Sequence, residues 1–448
     1  MTVSRRELLA GAAATSAVVA AGGLGGARAD AAPAHHPHEH EHEHEHEHKL
    51  PKPKHSGLDH IVFMCMENRS FDHFLGWVPG ARGRQRGLSY PDDAGVLHPT
   101  HHLQDWTGLG FHDPDHSYTG GRVQLDGGKL DGFRKGRNDD YALGFYGRRD
   151  LATMSQLVRH FTVCDNWFAS ILGPTFPNRF YTHSAATDRI TNTFDACNLP
   201  TIWDRLAAAH IPARYYASDA PVLALYGNDA FGVSKYASIT HNIQQFYDDA
   251  AAGTLPSYSY VDPSFFGPTQ NDDHPHADIR RGQALIGRVV NAILQSPQWA
   301  NTALVITYDE WGGFFDHVRP PRFPDEVDNP GGDTNNPDHG QAGFRVPSFL
   351  ISPFARRGHV DHTTFEHSAI LKLVEWRFGL EPLTKRDRAS NNLANSLDFR
   401  RPNHRPPRFV VPPEPAVPAR TPAQVQSTLS HESAWREVAA MDRTAAQR

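Results

Sequence analysis

Two apolar runs in the chain end abruptly on polar side chains of the kind that bind metal ions. The run 61–66 leads directly into Glu67 and Asn68, and the run 303–308 leads into Asp309 and Glu310. A short continuous apolar run is typical of a strand that is buried on both faces of a sheet. Because ligands of open α/β sheets bind beyond the carboxyl ends of the strands, we expect the four polar side chains to meet at one edge.

The rest of the hydrophobic pattern alternates between strand-like and helix-like segments from Leu58 to about Phe399. Strands are predicted over 258–261 and 347–351. One helix is predicted over 277–295, where apolar residues form a single stripe, and another is predicted from Phe365 after a capping-box pattern at 363–366. This alternation predicts an α/β fold with a mostly parallel central sheet sandwiched by helices.

The pattern also divides the chain into four parts. Residues 1–29 carry the twin arginine Arg5-Arg6, an Ala/Gly/Val-rich run and the cleavage pattern Ala27-Arg28-Ala29, which predicts a Tat-type signal peptide. A transmembrane anchor fits less well, because the run is short and rich in Gly and Ala. The remaining parts are a disordered linker at 30–56, one large domain at 57–400, and a Pro/Arg-rich strap and tail at 401–448. We therefore expect export through the Tat machinery to a secreted, periplasmic or cell-wall location.

The linker contains a His/Glu tract, residues 35–48, with eight His and five Glu. Such tracts have no apolar face to bury and bind zinc, nickel or copper. The tract is either a metal-capturing tether or a solvated spacer, and for catalysis we favour the spacer. The net charge of −6 makes nucleic acid a poor partner. Of the three cysteines, Cys65 is predicted to be a core residue, and whether Cys164 and Cys197 pair stays open.

Between the two ligand-bearing runs lies the segment 173–180, GPTFPNRF, which predicts a tight turn into a helix. A threonine hydroxyl is a weak nucleophile unless a base or a metal lowers its pKa. Thr175 could therefore be a metal ligand that attacks as the alkoxide, or only an N-cap, which is the commoner role of Thr at this place. Arg179 could clamp a phosphate or form an ordinary salt bridge.

Three histidine-bearing loops fit the same site, namely 111–116, 271–276 and 361–367. An imidazole at such a position can contact a phosphoryl oxygen, protonate a leaving group or bind metal. A single histidine of this kind is more often a surface or capping residue, so some of these matches are expected to be chance.

Four segments together resemble the bacterial phospholipase C and acid phosphatase family of phosphoesterases, a branch of the alkaline phosphatase-like superfamily. They are ENRSFD at 67–72, GPTFPNR at 173–179, DDHP at 272–275 and DEWGGFFDHV at 309–318. The resemblance runs in order from about Leu58 to Phe399. It implies an alkaline phosphatase-like fold and makes 57–400 a phosphoesterase catalytic domain.

The resemblance also implies roles for single residues. Thr175 is the implied nucleophile, and His274, His116 and His367 are implied to bind phosphoryl oxygen or protonate the leaving group. The implied metal and phosphoryl cradle consists of Glu67, Asn68, Asp309, Glu310 and Thr175. The metal is a divalent ion, and Ca²⁺, Mg²⁺, Mn²⁺, Zn²⁺ and Fe all stay possible.

The sequence is compatible with three functions. The first is a phospholipase C-type phosphodiesterase acting on a phosphatidylcholine-like phospholipid through a covalent phospho-threonine. The second is a broad acid phosphatase acting on small phosphomonoesters; phospholipases of the family often carry further β-rich modules, and fewer than fifty residues follow the domain here. The third is a non-enzymatic exported metal-binding protein that works through the His/Glu tract. The oligomeric state stays open.

Overall fold

Twelve strands form three sheets in the part of the chain that the computed structural model describes, residues 49–227, 234–325, 340–417 and 431–441. In chain order the strands are β1 (His60–Met66), β2 (Ser89–Pro91), β3 (Leu97–Pro99), β4 (His101–His102), β5 (Gly144–Phe145), β6 (Thr162–Cys164), β7 (Ala213–Ala217), β8 (Thr240–Asn242), β9 (Tyr258–Val261), β10 (Thr302–Tyr308), β11 (Phe349–Ile351) and β12 (His359–Asp361). Eight of them make the central sheet, in the order β12-β6-β11-β10-β1-β9-β7-β8.

The central sheet is mostly parallel. Strand β1 pairs in parallel with β10 on one side and β9 on the other, and among the described strands of this sheet only β11 runs antiparallel to its neighbours. Residues 61–66 of β1 and the whole of β10 are buried, as expected for strands covered on both faces. The two apolar runs are therefore adjacent strands at the centre of the sheet, and helices flank the sheet. The predicted fold class is confirmed.

Ten helices surround the sheet in the described residues. They are α1 (Phe71–Leu75), α2 (Tyr118–Leu125), α3 (Ala152–His160), α4 (Thr175–Ser184), α5 (Ile202–Ala208), α6 (Ile243–Ala252), α7 (Ile279–Gln295), α8 (Ser368–Phe378), α9 (Lys385–Ala389) and α10 (431–441). Helices α3 and α6 both pack on α7, and α5 and α8 both pack on α4.

Both predicted helices are present, but one of them begins later than predicted. Helix α7 begins at Ile279 after the cap Asp278, close to the predicted start. Helix α8 begins at Ser368, three residues later than predicted, and the capping box at 363–366 does not form. The reason is that the Glu366 carboxylate accepts hydrogen bonds from the Ser170 hydroxyl and from the backbone and hydroxyl of Ser368.

Two of the resembling motifs are joined by a buried arginine. Arg345 donates to Asp72 at 3.2 Å and to the two oxygens of Asp316 at 3.0 Å each, and all three side chains are fully buried. The imidazole of His317 also contacts Asp72. Through Arg345, Asp72 of ENRSFD and Asp316 of DEWGGFFDHV therefore hold the loop after β1 against the loop after β10.

The described residues belong to one unit, His48–Arg448; the other unit, Met1–Glu47, lies outside them. The predicted signal peptide and the His/Glu tract therefore fall outside the described residues. Cys65, Cys164 and Cys197 are all buried and free, so the last two do not pair. Among the described residues, no helix is long and apolar enough to cross a membrane.

After residue 400, the chain crosses the surface of two helices. The carbonyl of Val410 accepts from Gln156 of α3 at 2.8 Å, and Glu414 pairs with Arg281 of α7 at 3.3 Å. Residues 418–430 are not described, and α10 follows.

One buried carboxyl of α8 gives a test of this packing. Glu375 is 3% exposed and lies beside Asp387. Burial, and then the neighbouring Asp387, raises the pKa of Glu375 from 4.5 to about 9. Between these pH values the folded protein holds a proton that the unfolded chain releases, so Glu375 increasingly destabilises the fold as pH rises through this range.

We therefore expect Glu375→Gln to raise the midpoint of thermal unfolding at pH 8 by a few degrees. The variant should also weaken the fall of that midpoint between pH 5 and pH 8, measured by circular dichroism. The matched control is Glu381→Gln, at an exposed glutamate just beyond α8, which should shift the midpoint little. A Glu375→Gln protein that melts below the unaltered chain at pH 8 would contradict this account.

Candidate active site

Three neighbouring strands deliver a carboxylate to the same edge of the sheet. Glu67 follows β1, Asp309 follows β10 and Asp262 follows β9, and all three are fully buried. The backbone N–H of Asp309 donates to the carbonyl of Met66 at 3.0 Å, which continues the pairing of β1 with β10 past the last strand residues. The parallel register therefore places Glu67 level with Asp309, whereas Asp262 lies opposite Cys65, two residues earlier on β1.

Asn68 ties the two central strand ends together. Its backbone has a positive φ of 58°, which asparagine tolerates better than most residues. In this conformation its N–H donates to Asp309 at 3.1 Å, and its side-chain amide donates to Nε2 of His116 at 3.3 Å. The side-chain oxygen of Asn68 is buried and accepts no hydrogen bond among the described residues.

Glu310 is held by the glycine turn that follows it. One carboxylate oxygen accepts from the N–H of Gly312 at 2.6 Å, and the other accepts no hydrogen bond in the described part of the chain. Gly312 has a φ of +64°, and a Cβ at this position would meet the carbonyl oxygen of Asn68 at 2.1 Å. Only glycine allows this close approach, so the motif fixes Glu310 beside Asn68.

The guanidinium of Arg179, in α4, supplies positive charge at this edge of the sheet. It is fully buried and donates to Asp262 at 2.8 Å and to Asp309 at 3.1 Å, and it lies 3.4 Å from Glu67. Although burial acts to lower the pKa of Arg179, the surrounding anionic side chains hold it well above its usual value. Of the two roles predicted for Arg179, the structure places it in salt bridges with the strand ends.

One arginine does not balance the buried negative charge. Burial, and then the nearby Asp309, raises the pKa of both Glu67 and Glu310 well above the usual range. Both oxygens of Glu67, one of Glu310 and one of Asn68 are buried without a hydrogen bond among the described residues. Unpaired buried oxygens of this kind are costly, and hard oxygen ligands are what divalent cations prefer. The residues present therefore fit a divalent cation.

Thr175 is the first residue of α4 and is 3% exposed. The side chain of Asn178 closes the turn before it: its oxygen accepts from the N–H of Ile171 at 3.0 Å, and its amide donates to the carbonyl of Gly173 at 2.8 Å. Arg179 stands four residues after Thr175, on the same face of the helix. Thr175 thus lies at the positive end of α4, on the helix face from which Arg179 contacts Glu67 and Asp309.

His116 lies beside the free oxygens. Its Nδ1 donates to the carbonyl of Pro114 at 2.8 Å, so its Nε2 accepts from Asn68 and lies 3.9 Å from Glu310. The neighbouring His112, the alternative in the same loop, is exposed. The structure therefore brings His116 to the edge and leaves His112 outside.

His274 faces the same edge from the loop after β9. Its Nδ1 contacts the carbonyl of Pro275, and its ring meets that of His116 edge-on, with centroids 5.6 Å apart. Burial, and then the rings of His431 and His116, lowers the pKa of His274 well below its usual value. The imidazole of His274 is therefore neutral in the free protein.

His367 lies behind the edge. Its Nε2 donates to the carbonyl of Asp309 at 2.6 Å, and its Nδ1 accepts from the indole of Trp167 at 3.2 Å. Burial lowers the pKa of His367 to about 4. With both ring nitrogens in use, His367 holds the backbone of Asp309 in place; its predicted contact with the phosphoryl group or the leaving group stays a prediction.

Histidines and carboxylates at this edge also group in ways that could hold a metal. In two sets, Glu67 with His274 and His431, and Asp113 with His116 and His274, one ligand atom of each residue lies within 4.8 Å of the others. A third set, Asp72, Asp316 and His317, is already occupied by Arg345.

Sequence reasoning missed two residues of the site. Asp262 directly follows a strand that was predicted correctly, so the rule that found Glu67 and Asp309 would have found it too. His431 stands at the start of α10 and lies 3.6 Å from Glu67. A single histidine in a Pro/Arg-rich tail gives no local signal of this contact.

Comparisons with known proteins show the family of the chain. The profile of the Phosphoesterase family matches residues 58–381. Non-specific phospholipase C6 of Arabidopsis thaliana is 33% identical over 371 residues, covering 74% of this chain and 70% of that protein. Phospholipase C B of Mycobacterium tuberculosis is 31% identical over 445 residues, covering 82% of this chain and 81% of that protein.

Among solved structures, a protein of the alkaline phosphatase superfamily from Vibrio parahaemolyticus aligns over 76% of this chain and 72% of its own, with a TM-score of 0.37 and 8% identity. The family match covers most of the chain, and both relatives are named phospholipases C. The chain therefore belongs to the Phosphoesterase family, is related to phospholipases C, and is an enzyme that hydrolyses phosphoric ester bonds.

Proposed function

We propose that this enzyme is a phospholipase C-type phosphodiesterase that cleaves a phosphatidylcholine-like phospholipid through a covalent phospho-threonine at Thr175. The observation that carries the proposal is a buried threonine at a helix N-terminus, one turn from the arginine that contacts Glu67 and Asp309. The names of the relatives support a diester of a phospholipid as the substrate.

Glu67, Asn68, Asp309 and Glu310 would hold a divalent cation, together with the hydroxyl of Thr175. When bound, such a cation lowers the pKa of the threonine hydroxyl and offsets negative charge on the phosphoryl oxygens. Arg179 keeps Glu67 and Asp309 in place for this purpose, since it contacts both.

In the first step, Oγ1 of Thr175 attacks the phosphorus atom as the alkoxide, its proton having passed to solvent, and the bond from phosphorus to the alcohol oxygen breaks as the new bond forms. The departing alkoxide of diacylglycerol is a strong base and needs a proton. His274 gives that proton. The positive end of the α4 dipole, where Thr175 stands, stabilises the negative charge on the phosphoryl oxygens.

In the second step, a water molecule attacks the phospho-threonine from the opposite side. His274, now neutral, takes the proton of that water, and the bond from phosphorus to Oγ1 breaks. Oγ1 of Thr175 is restored as the alkoxide and the phosphorylated head group leaves. His274 is then again the imidazolium that it was in the substrate complex, and it releases this proton to solvent when the product leaves.

The protonation of His274 depends on the substrate. Its imidazole is neutral in the free protein because burial and two neighbouring imidazoles lower its pKa. A negatively charged phosphoryl group against the ring favours the imidazolium form. Substrate binding therefore favours protonation of His274, and this proton is the one that the first step uses. His116 has a separate role, which is to contact the phosphoryl oxygens.

The enzyme is proposed to act after export through the Tat machinery, on the strength of the twin arginine and the cleavage pattern in residues 1–29. We expect Arg5-Arg6→Lys-Lys to keep the protein inside the producing cell, as seen by immunoblotting of cell and export fractions. Export at the level of the unaltered chain would contradict the proposal.

The experiment that tests the function compares Thr175→Ala with Thr175→Ser. On phosphatidylcholine we expect the alanine variant to lose at least about 10³-fold in kcat, because no other group can form the covalent intermediate. The serine variant keeps a hydroxyl and should retain measurable turnover. Mass spectrometry after acid quenching should find a phosphorylated Thr175 peptide in the unaltered enzyme.

The same assay includes a simple phosphomonoester. Faster turnover of the monoester than of phosphatidylcholine would favour the acid phosphatase alternative. Near-normal turnover by Thr175→Ala on both substrates would exclude the threonine as the nucleophile.

The cation site is tested with Glu310→Gln, which removes the charge of one ligand. We expect binding of Mn²⁺ to weaken by at least about 10-fold, with a matching loss of activity at low metal, because hard cations prefer charged oxygen ligands. Mn²⁺ suits the measurement, since a His-rich tract favours zinc, nickel or copper. The matched control is Glu381→Gln, and equal Mn²⁺ affinity of the two variants would contradict the assignment.

A further inference from the structure

The C-terminal helix α10 (431–441) packs onto the catalytic domain by one face. Trp435 is 1% exposed, Val438 is 0% and Ala439 is 4%, at the spacing of an amphipathic helix. His431 stands one turn before Trp435 on the same face, and its side chain is 12% exposed. A histidine therefore occupies a position on this face where an apolar residue is the usual choice.

Trp435 fixes where α10 lies. Its indole stacks on the ring of Phe265 with centroids 3.8 Å apart and meets Phe176 edge-on at 5.3 Å. The guanidinium of Arg179 lies 5.6 Å from the same indole. Because Phe176 directly follows Thr175, this contact attaches α10 to the first turn of α4.

His431 reaches the site from this anchor. Its Nε2 donates to the carbonyl of Phe265 at 3.1 Å and lies 3.4 Å from Asp272 and 3.6 Å from Glu67. Its ring stacks on that of His274, with centroids 3.5 Å apart and planes inclined by 21°. The hydrogen bond orients the His431 ring, and the ring covers one face of His274.

The contacts of His274 leave it little freedom to turn. Its Nδ1 contacts the Pro275 carbonyl, His116 meets its edge, and His431 lies flat against it. Removing His431 would open one face of the ring. Proton transfer requires the ring nitrogen within hydrogen-bond reach of the leaving oxygen, so a freed ring would transfer its proton less efficiently.

We propose that His431 is a positioning residue of the active site: by stacking on His274 it holds that imidazole in the orientation from which it protonates the leaving group. This inference rests on the proposed function, in which His274 is the proton donor. It makes α10 a part of the active site that the chain supplies from outside the segment matched by the family profile.

Two substrates with the same phosphocholine group separate positioning from general damage. Short-chain phosphatidylcholine releases an alkoxide, which needs a proton, whereas p-nitrophenylphosphorylcholine releases a weak base that departs without one. Both would give the same covalent intermediate. A difference between them in kcat/KM therefore arises in the first step, where His274 acts.

For His431→Ala we expect kcat/KM on phosphatidylcholine to fall about 10–100-fold, the usual effect of losing a group that orients a functional side chain. On the nitrophenyl ester the fall should stay within about 3-fold, a difference in transition-state stabilisation below 1 kcal/mol. His431→Phe keeps a ring that can stack and should recover most of the loss, whereas His431→Gln keeps a donor without a ring and should resemble alanine.

The controls address stability and metal. Glu437→Gln, at an exposed position of the same helix, should leave both activities unchanged. The melting midpoint and the Mn²⁺ affinity of His431→Ala should stay at the level of the unaltered enzyme. Trp435→Ala, which removes the anchor of α10, should reproduce the preference of His431→Ala for the nitrophenyl ester.

The results of these assays distinguish the positioning role of His431 from the proposed function. If His274→Ala shows the leaving-group dependence but His431→Ala does not, the positioning role is overturned and the proposed function stands. An equal loss on both esters, or a loss of Mn²⁺ binding in His431→Ala, also overturns it, since His431 would then serve the fold or the cation. If His274→Ala shows no leaving-group dependence, His274 is not the proton donor, and the positioning role falls together with that step of the mechanism, whereas the role of Thr175 is judged by Thr175→Ala alone.

Discussion

The structure depends on placing several carboxylates at the carboxyl ends of three adjacent buried strands. Glu67, Asp262 and Asp309 are fully buried. Burying several carboxylates beside one another opposes folding unless positive charge is supplied. Arg179 supplies one such charge and touches all three. Oxygens of Glu67, Asn68 and Glu310 still accept no hydrogen bond among the described residues. The proposed cation site consists of these oxygens, for which the protein supplies no hydrogen-bond donor of its own.

Much of this arrangement could be predicted from the sequence, because it rests on short-range rules. Strands β1 and β10 read directly as apolar runs, and the parallel pairing that brings their ends together follows from the fold class. The turn before Thr175 could be predicted because its proline and glycine residues restrict the backbone locally. Asp262 could also have been predicted, since it follows the predicted strand β9 in the same way as Glu67 follows β1.

The remaining features depend on contacts between distant segments, which local patterns do not encode. Helix α8 starts late because Glu366 bonds to Ser170, almost two hundred residues away. The ring nitrogens of His367 contact the Asp309 carbonyl and the indole of Trp167, and neither contact could be predicted from the loop that carries this histidine. His431 reaches Glu67 only because Trp435 packs between the first turn of α4 and the loop after β9. Sequence reasoning identifies which residues can do chemistry, but the packing decides which of them face the site.

The motif GPTFPNR shows why the chemistry needs contiguous residues. Asn178 and Arg179 stand three and four positions after Thr175, so the three side chains share one side of the first helical turn. Asn178 closes the turn before the helix by bonding to Ile171 and Gly173, and Arg179 fastens the helix to the strand ends. Thr175 is therefore fixed from its own loop on one side and from the sheet on the other. Moving any of the three by one residue would rotate its side chain by about 100° around the helix and separate it from the other two.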